Sequence, residues 1–590
     1  MKDFLKYVFA TVTGIIIVTL IVAIIGVISI VGMAASSASS VPVKENSVFT
    51  LMLSGQLEER AQTDVLSMLQ GTSTEGLGLD DIVSSIKKAK DNEDIKGIYI
   101  ESGLFSIDTP ASAHAIREAL LDFKKSGKWI VAYGDSYTQT TYYICSAADK
   151  VYLNPQGMID WHGLAANPYF LKDLLAKFGV KYQLCKVGKY KSAPEQMTAD
   201  KMSEPNREQV TAYLTGIWQV MLSDVAASRK IPADSLNAYA DRFVATVDQP
   251  ELVKMKMVDK LIYTDEVKAE IKKLLKMDAD DTINQLSLAD MTTLKDKKDS
   301  GDEVAVYYAY GEIIDTPTES ILTQEHSIVA PEVCKDLEAL MNNDDVKAVV
   351  LRVNSPGGSA YASEQIWHAV QNLKAKKPVV VSMGGYAASG GYYISCGANY
   401  IISEPTTVTG SIGIFGMFPD YSQLLTEKLG VKFDEVKTNK HAAFGTPARP
   451  FNAEEMALLD QYIGRGYNLF RQRVADGRKQ SVEAIEEIAQ GRVWLGNDAL
   501  KIKLVDAIGS LDDAIKKAAE LAKLSEYHAV NYPVPTEWYE DLFNTTTQAN
   551  YLDEQLRLTL GEFYEPFSYV RTISQRSAIQ ARLPYFLNIH

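Results

Sequence analysis

An internal repeat is the feature that most constrains how this chain of 590 residues folds. When the sequence is compared with itself at a shift of about 251 residues, many segments come into register. Residues 92–96 match 343–347, residues 142–144 match 392–394, and residues 179–181 match 430–432. A period this long indicates two fused domains rather than a solenoid of short units.

Apolar stretches that suit strands alternate with amphipathic stretches that suit helices. In the first copy, strands are predicted at residues 48–53, 97–100 and 129–133, with a helix at 111–125 between the last two. The same order recurs in the second copy, which has strand candidates at 348–353 and 378–381. This alternation is typical of an α/β sheet built from crossover units.

Ser389 stands in a stretch of small residues, 383–392, directly after the strand candidate at 378–381. Glycines let the backbone turn sharply and let a substrate carbonyl approach, and they leave backbone N–H groups free to hold an oxyanion. A serine in this setting has the surroundings that a nucleophile requires.

A second glycine-rich segment, 354–359, follows the strand candidate at 348–353. Loops that leave the same ends of neighbouring parallel strands meet in one crevice. The N–H groups of Gly358 and Gly390 could therefore form a pair of oxyanion donors. The alternative is that both segments are ordinary tight turns, because glycine pairs after strands are common.

The group that would activate the serine is less obvious from local sequence. Histidine is the commonest base for a hydroxyl nucleophile, but the seven histidines are scattered, and only His441 falls where it could reach Ser389. The two copies differ at the positions where chemistry is expected. Ser389 aligns with Gln139, and Lys191 has no lysine counterpart in the second copy.

Three segments carry a resemblance to a known family. They are Tyr-Lys-Ser-Ala at 190–193, Ala-Ala-Ser-Gly-Gly-Tyr at 387–392 and Thr-Gly-Ser-Ile-Gly-Ile-Phe-Gly at 409–416. Together they resemble the long-form signal peptide peptidase A family of bacterial envelopes, also called protease IV, over nearly the whole chain. The resemblance implies tandem duplicated domains of the crotonase and Clp protease type, and a peptidase with a serine/lysine dyad.

By this resemblance Ser389 is the nucleophile, Lys191 the general base and Ser411 the hydroxyl that orients the lysine. Without it, Lys191 would be one more solvated lysine, and Ser411 only a turn hydroxyl. A free lysine has a pKa of about 10.4 and is protonated at neutral pH, so the site must lower that pKa. Burial against apolar walls does this.

The N-terminus predicts a membrane anchor. Residues 7–43 carry no charge, and the core at 12–31 is rich in Ile and Val, which suits a bilayer-spanning helix. Lys2 and Lys6 precede it, so the N-terminus is expected in the cytoplasm and the body outside. A signal peptide cleaved near 34–38 is the alternative, but the apolar stretch is long for one. With the resemblance, this places a single-pass protein in the bacterial inner membrane with its catalytic body on the periplasmic side.

The predicted organisation has five parts. Residues 1–45 comprise the cytoplasmic N-terminus, the anchor and a linker, and residues 46–294 form the repeat that carries Lys191. A polar linker at 295–303 leads to the second repeat, 304–524, which carries Ser389. The repeat is expected to end near Leu524, and residues 525–590 form an extension rich in aromatic residues.

Composition excludes some classes of function. A net charge of −15 with a pI near 5.1 argues against nucleic-acid binding. The four cysteines have no metal-ligand spacing, so no metal site and no cofactor is expected. A disulfide between Cys145 and Cys185 is conceivable outside the cytoplasm, although free buried thiols are the commoner outcome in apolar surroundings.

The sequence therefore predicts a membrane-anchored serine endopeptidase. By resemblance, its substrates are cleaved signal peptides, with other unfolded chains as a second group. The resemblance also implies that it works at the lipid bilayer and assembles as a homo-oligomer, a tetramer in the family. Two other classes stay open from the residues alone. A crotonase-like acyl-coenzyme A enzyme would use the same oxyanion turns without a serine nucleophile. A non-catalytic membrane scaffold would use neither the oxyanion turns nor the serine.

Overall fold

A computed structural model of the chain describes residues 42–61, 77–295, 300–317, 326–534 and 579–582, together with residues 6, 7, 13, 14, 17–19 and 21. The first repeat contains the following elements in chain order: β1 (Ser47–Glu58), β2 (Leu77–Gly78), α1 (Leu79–Asp91), β3 (Ile95–Ser106), α2 (Pro110–Lys124), β4 (Trp129–Tyr137), α3 (Gln139–Cys145), β5 (Lys150–Ile159), α4 (Lys172–Lys177), β6 (Lys181–Lys186), α5 (Glu195–Thr198), α6 (Glu204–Arg229), α7 (Ala233–Asp241), a 3-10 turn (Val244–Thr246), α8 (Gln249–Lys254), β7 (Lys260–Leu261), α9 (Thr264–Leu275), β8 (Asn284–Leu286) and α10 (Leu288–Thr292).

The second repeat follows the same plan. Its elements, with the strand after it, are β9 (Asp302–Tyr310), β10 (Glu312–Ile314), β11 (Ser327–Val329), α11 (Ala330–Asn342), β12 (Val346–Ser355), β13 (Gly357–Ser359), α12 (Ala360–Lys376), β14 (Val379–Ala388), α13 (Gly390–Ser395), β15 (Tyr400–Ser403), β16 (Val408–Gly410), β17 (Phe415–Asp420), a π-helical turn (Leu424–Lys428), α14 (Ala453–Arg478), α15 (Val482–Ile488), β18 (Val493–Leu495), α16 (Gly496–Lys501), β19 (Ala507–Ile508), α17 (Leu511–Leu521), β20 (Tyr527–Tyr532) and β21 (Ile579–Arg582).

Each repeat is built around a parallel sheet. In the first, the strands run in the order β2-β1-β3-β4-β5-β7, and β8 also pairs with β1. In the second, β9, β12, β14, β15 and β19 take the corresponding places, and β20 pairs with β9 as β8 pairs with β1. The central strands β12 and β14 of the second repeat are almost wholly buried, and both are rich in Val, as expected for parallel strands that helices cover on both faces. The predicted α/β class and tandem duplication are confirmed.

Individual hydrogen bonds also recur at equivalent places in the two repeats. The Tyr142 hydroxyl donates to the carbonyl oxygen of Met257 at 2.9 Å, and the Tyr392 hydroxyl donates to that of Leu504 at 2.8 Å. Helices α6 and α14 each have 26 residues and end at a lysine in the left-handed conformation. β20 pairs with β9 as β8 pairs with β1, although the sequences of β8 and β20 differ, and the expected end of the repeat near Leu524 stays a prediction.

A third sheet joins the two repeats. Its strand order is β11-β10-β13-β21-β17-β6, so β6 of the first repeat pairs along its whole length with β17 of the second. The main apolar core of the first repeat also takes in Ala388, Val408, Val493 and Leu495 of the second. The interface is therefore part of the folded core.

The predicted strands and the helix at 111–125 coincide with β1, β3, β4, β12, β14 and α2, except that β14 begins at Val379, one residue after the predicted start, and α2 ends at Lys124, one residue before the predicted end. The glycine-rich segments differ from the expected turns. β14 continues to Ala388, and residues Gly357–Ser359 form β13, because glycine allows close pairing with neighbouring strands. β9 begins at Asp302, within the predicted linker, and the five domain boundaries stay predictions. All four cysteines, including Cys145 and Cys185, are free thiols.

The predicted membrane anchor lies almost entirely outside the described residues. Among those that are described, no helix combines the length and the apolar character needed to cross a bilayer.

A buried ion pair links the two repeats. Arg352 on β12 donates through Nε to Glu59 Oε1 at 2.6 Å, and Asn354 Nδ2 donates to Glu59 Oε2 at 2.9 Å. Both charged side chains are at most 5% exposed. Removal of one partner would leave the other as an unpaired buried charge, which is strongly destabilising.

We therefore expect Arg352→Met to lower the free energy of unfolding by about 3–5 kcal/mol, because Glu59 loses its partner. The measurement is the midpoint of urea denaturation. Lys87→Met is the matched control, because its ion pair with Asp512 also joins the repeats but is about half exposed, and its loss should cost less than about 1 kcal/mol. Equal effects of the two substitutions would contradict the prediction.

Candidate active site

Ser389 lies at the junction between β14 and α13, and its side chain is fully buried. Its backbone has φ 55° and ψ −113°, a conformation that is strained for a residue with a Cβ. The Ser389 N–H donates to the carbonyl oxygen of Gly410 at 2.8 Å, and this hydrogen bond helps to hold the backbone in the strained conformation. The turn aims the hydroxyl at the segment that carries Lys191.

Lys191 follows β6 in a loop and is also fully buried. Its Nζ lies 2.7 Å from Ser389 Oγ, 3.1 Å from Ser411 Oγ and 3.3 Å from the carbonyl oxygen of Ser411. Burial lowers the pKa of Lys191 well below its ordinary value. The structure thus brings together the base predicted in the first repeat with both serines of the second.

Ser411 has the geometry to orient the amine. A neutral amine has two N–H groups and one lone pair, and the carbonyl oxygen of Ser411 can only accept. When the two N–H groups donate to the carbonyl and hydroxyl oxygens of Ser411, the lone pair is left for the Ser389 hydroxyl. Ser411 itself has φ 50°, and its N–H donates to the carbonyl oxygen of Arg492 at 2.7 Å.

The stem of the lysine packs on the backbone of two glycines, Gly413 and Gly491. A Cβ on Gly491, which has φ +78°, would lie 2.6 Å from Lys191 Cβ, and one on Gly413 would lie 3.3 Å from Lys191 Cδ. Gly413 belongs to the motif at 409–416, but Gly491 stands in no motif and could not be found from sequence alone. Side chains at these positions would displace the lysine.

The loop that carries Lys191 is braced by helix α6. Gln209 Nε2 donates to the carbonyl oxygen of Tyr190 at 3.0 Å and to Ser192 Oγ at 2.9 Å, and Ser192 Oγ donates to Asn206 Oδ1 at 2.9 Å. The oxygen of the same Gln209 amide accepts from the N–H of Val493 in the second repeat at 3.2 Å. The amide therefore fixes the lysine loop to both repeats at once.

The two predicted oxyanion glycines lie on converging segments. Gly358 is in β13, and Gly390 begins α13. The contact between the segments is made by Gly357, because a Cβ on Gly390 would lie 3.1 Å from Gly357 Cα. The two segments therefore approach each other at Gly357 and Gly390, and the pairing of the Gly358 and Gly390 N–H groups as oxyanion donors stays a prediction.

The other residues considered from sequence lie elsewhere. His441 has a 42% exposed side chain, 3.8 Å from Glu454, whereas Ser389 is buried. Gln139, which takes the place of Ser389 in the first repeat, accepts through Oε1 from the N–H groups of His162 and Gly163. The copy without the serine therefore uses this position for a structural hydrogen bond.

Residues 122–278 and 371–525 each match peptidase family S49, so the two matches fall in the two repeats. Residues 300–406 match the Clp protease family. These matches agree with the tandem Clp protease-like fold.

Curated relatives align over most of the chain. Protease 4 of Salmonella typhi is 38% identical over 79% of this chain and 76% of its own length. Protease 4 of Haemophilus influenzae is 34% identical over 85% of this chain and 83% of its own length. The chloroplastic serine protease SPPA of Arabidopsis thaliana is 30% identical over 82% of this chain and 70% of its own length. This protein is a serine protease that belongs to peptidase family S49.

Proposed function

We propose that this protein is an endopeptidase in which Ser389 is the nucleophile, Lys191 the general base and Ser411 the group that orients the lysine. The observation that carries the proposal is the distance of 2.7 Å from Lys191 Nζ to Ser389 Oγ, in a site where both side chains are fully buried. Because burial lowers the pKa of Lys191, its amine loses its proton at a lower pH than an ordinary lysine, and in the neutral form it can accept a proton.

The reaction takes place in two halves. Ser389 Oγ attacks the peptide carbonyl carbon while its proton passes to Lys191 Nζ, and the oxyanion is held by the N–H groups of Gly358 and Gly390. The protonated lysine then gives its proton to the leaving amine as the C–N bond breaks, which leaves an acyl-enzyme. In the second half, Lys191 takes a proton from water, the water oxygen attacks the ester, and Ser389 regains its proton as the acid product leaves.

The substrates in this proposal are cleaved signal peptides, with other unfolded chains as a second group. The anchor predicted at residues 12–31 would hold the catalytic body on the periplasmic side of the inner membrane of a bacterium, close to peptides left in the bilayer. Two of the relatives, both named Protease 4, are from bacteria. The assembly is a homo-oligomer, which suits a Clp protease-like fold. Membership of family S49 disfavours the acyl-coenzyme A enzyme and the non-catalytic scaffold.

The direct test is hydrolysis of a fluorogenic apolar peptide by the detergent-solubilised full chain. Ser389→Ala and Lys191→Ala should each lower kcat/KM by at least about 10³-fold, because each removes a group that acts in every turnover. Lys189→Ala is the control, since Lys189 is exposed and two residues away. Near-normal turnover by a folded Lys191→Ala variant would show that another group is the base.

The pH dependence should report the state of Lys191. The amine is a base only when it is neutral, so kcat/KM rises as the pH increases through the pKa of Lys191. Since burial lowers this pKa, we expect the rise to occur well below pH 10.5, the range in which an ordinary lysine titrates. The measurement is kcat/KM against pH under conditions in which the protein remains folded. A rise centred near the ordinary value would contradict a desolvated base.

Gly491→Ala tests the packing under the lysine. The added methyl would meet Lys191 Cβ, and we expect kcat/KM to fall about 100-fold, as for a displacement of about 1 Å in an active site. Gly445→Ala is the matched control, because Gly445 also has positive φ, +75°, but has no atom within 4 Å of the new methyl. Equal losses in the two variants would mean that backbone strain, and not contact with Lys191, causes the effect.

A further inference from the structure

The turn between α15 and β18, residues 489–492, lies between the lysine loop and the segment of Ser411. On one side, the N–H of Tyr190 donates to the carbonyl oxygen of Gln490 at 3.0 Å. On the other side, the N–H of Ser411 donates to the carbonyl oxygen of Arg492 at 2.7 Å. The turn is therefore hydrogen-bonded both to the residue before the proposed base and to the residue proposed to orient it.

The backbone of the turn fits closely against the lysine loop. Gln490 has φ 56° and Gly491 φ 78°, and this left-handed conformation is unfavourable for a residue with a Cβ such as Gln490. A Cβ on Gly188, within the lysine loop, would lie 2.4 Å from the carbonyl carbon of Gln490. One on Gly491 would lie 2.6 Å from Lys191 Cβ. The two backbones are thus in contact on either side of Tyr190.

The side chain of Arg492 adds a further link to the lysine loop. Its guanidinium carbon lies 4.8 Å from the centre of the Tyr190 ring and 4.5 Å from that of the Trp494 ring. Its Nη1 donates to the Tyr190 hydroxyl at 3.0 Å and forms an ion pair of 2.9 Å with Glu208 on α6. The Tyr190 hydroxyl in turn donates to the other carboxylate oxygen of Glu208 at 3.0 Å. Stacking and directed hydrogen bonds together fix the place of this tyrosine ring.

We propose that Arg492 is a positioning residue of this active site, whose carbonyl group holds Ser411 and whose side chain holds Tyr190 and, through it, Lys191. The proposal rests on the proposed function of the serine/lysine dyad and adds a residue that acts on the dyad through its neighbours. One residue of the second repeat thus sets the places of the amine and of the group that orients it.

The location of these contacts matters more than their strength. The Arg492 side chain is 22% exposed and that of Glu208 is 54% exposed, and an ion pair with this access to water contributes little to stability. A role confined to stability would leave the titration of the active site unchanged. A positioning role would alter it, because Tyr190 and Lys191 are consecutive residues and a shift of the first moves the second.

A looser lysine loop would let water reach the amine. Burial is the cause of the lowered pKa of Lys191, so hydration raises this pKa towards its ordinary value. At a pH below the midpoint of its titration, the amine is then neutral in a smaller fraction of molecules. We therefore expect loss of the Arg492 side chain to lower kcat and to leave KM nearly unchanged, because the substrate contacts remain.

The kinetic test compares Arg492→Met with the wild type, using the detergent-solubilised full chain and a fluorogenic apolar peptide. The midpoint of kcat/KM against pH should move up by about one unit, and kcat/KM below both midpoints should fall about tenfold. Arg473→Met is the matched control and should leave the midpoint unchanged. Arg473 also stacks on a tryptophan, with its guanidinium carbon 3.9 Å from the centre of the Trp367 ring, and pairs with a glutamate, Glu364, but these contacts join α14 to α12.

Thermal melting checks that each variant is folded. Arg492→Lys is the milder substitution if Arg492→Met does not fold. It keeps the charge but loses the planar group between the two rings, so it should move the midpoint in the same direction by a smaller amount. An unchanged midpoint in the folded variants would overturn the proposal.

A double substitution tests the route through Tyr190. Tyr190→Leu alone should raise the midpoint, because it removes both the ring and the hydroxyl that Arg492 contacts. If the arginine acts through this tyrosine, the double variant Arg492→Met with Tyr190→Leu should move the midpoint no further than the larger single effect. Shifts that add in the double variant would overturn the proposal.

Chemical labelling of Lys191 gives a measurement that does not depend on hydrolysis. The full chain with Ser389→Ala is treated briefly with acetic anhydride, and acetylation of Lys191 is compared by mass spectrometry with that of the exposed Lys201. The enclosed amine should react slowly. Arg492→Met should raise its labelling at least about fivefold, because a looser loop opens more often to the reagent, whereas Arg473→Met should not.

The two measurements separate this proposal from that of the dyad. Faster labelling in Arg492→Met, without any hydrolysis by the wild type, would support the positioning role and refute the serine/lysine chemistry. Hydrolysis that depends on Ser389 and Lys191, with the midpoint unchanged in a folded Arg492→Met variant, would refute the positioning role and leave the chemistry, whatever the labelling shows.

Discussion

The desolvation of one lysine is the constraint on which the rest of this structure depends. An ammonium group cannot be enclosed without partners at acceptable cost, so Lys191 must be neutral or be placed against acceptors. The acceptors are supplied by Ser411, the stem lies on the backbone of Gly491, and the loop is held by Gln209. Since Ser411 and Gly491 belong to the second repeat and the lysine to the first, neither repeat can enclose the amine by itself.

This division explains how the two copies have diverged. Both keep the parallel sheet, and in both a tyrosine of the short helix after β4 or β14 donates a hydrogen bond to a distant carbonyl oxygen, as Tyr142 and Tyr392 show. They differ where the site is built. The first copy has Gln139 in a structural hydrogen bond where the second has Ser389, and it contributes the lysine loop instead. In the proposed dyad each copy supplies one half of the site, so the pairing of the repeats is a requirement for activity.

Much of the fold could be predicted from the sequence, because the repeat and the apolar strands are local signals. The closeness of Lys191, Ser389 and Ser411 was implied only by a family resemblance, since no spacing along one chain reveals that a loop of one domain enters the other. Gly491 and Gln209 were missed for the same physical reason, because both act through segments that are distant along the chain. Gly491 leaves space that a side chain would take from Lys191, and the Gln209 amide forms hydrogen bonds in both domains. The C-terminal strand β21 was missed because its four residues have an ordinary composition. They form a strand only because the edges of β13 and β17 are there to pair with them.

The third sheet unites these features. β6 leads into the Lys191 loop, β17 follows the Ser411 segment, and β13 carries Gly358, so the proposed base, its proposed orienting group and a proposed oxyanion donor are all attached to strands of one sheet. The strand β21 completes the hydrogen bonding of that sheet between β13 and β17. Lys191 is itself fully buried, and the exclusion of water from its amine lowers its pKa. The packing that joins the two repeats is therefore also the packing that activates the proposed base.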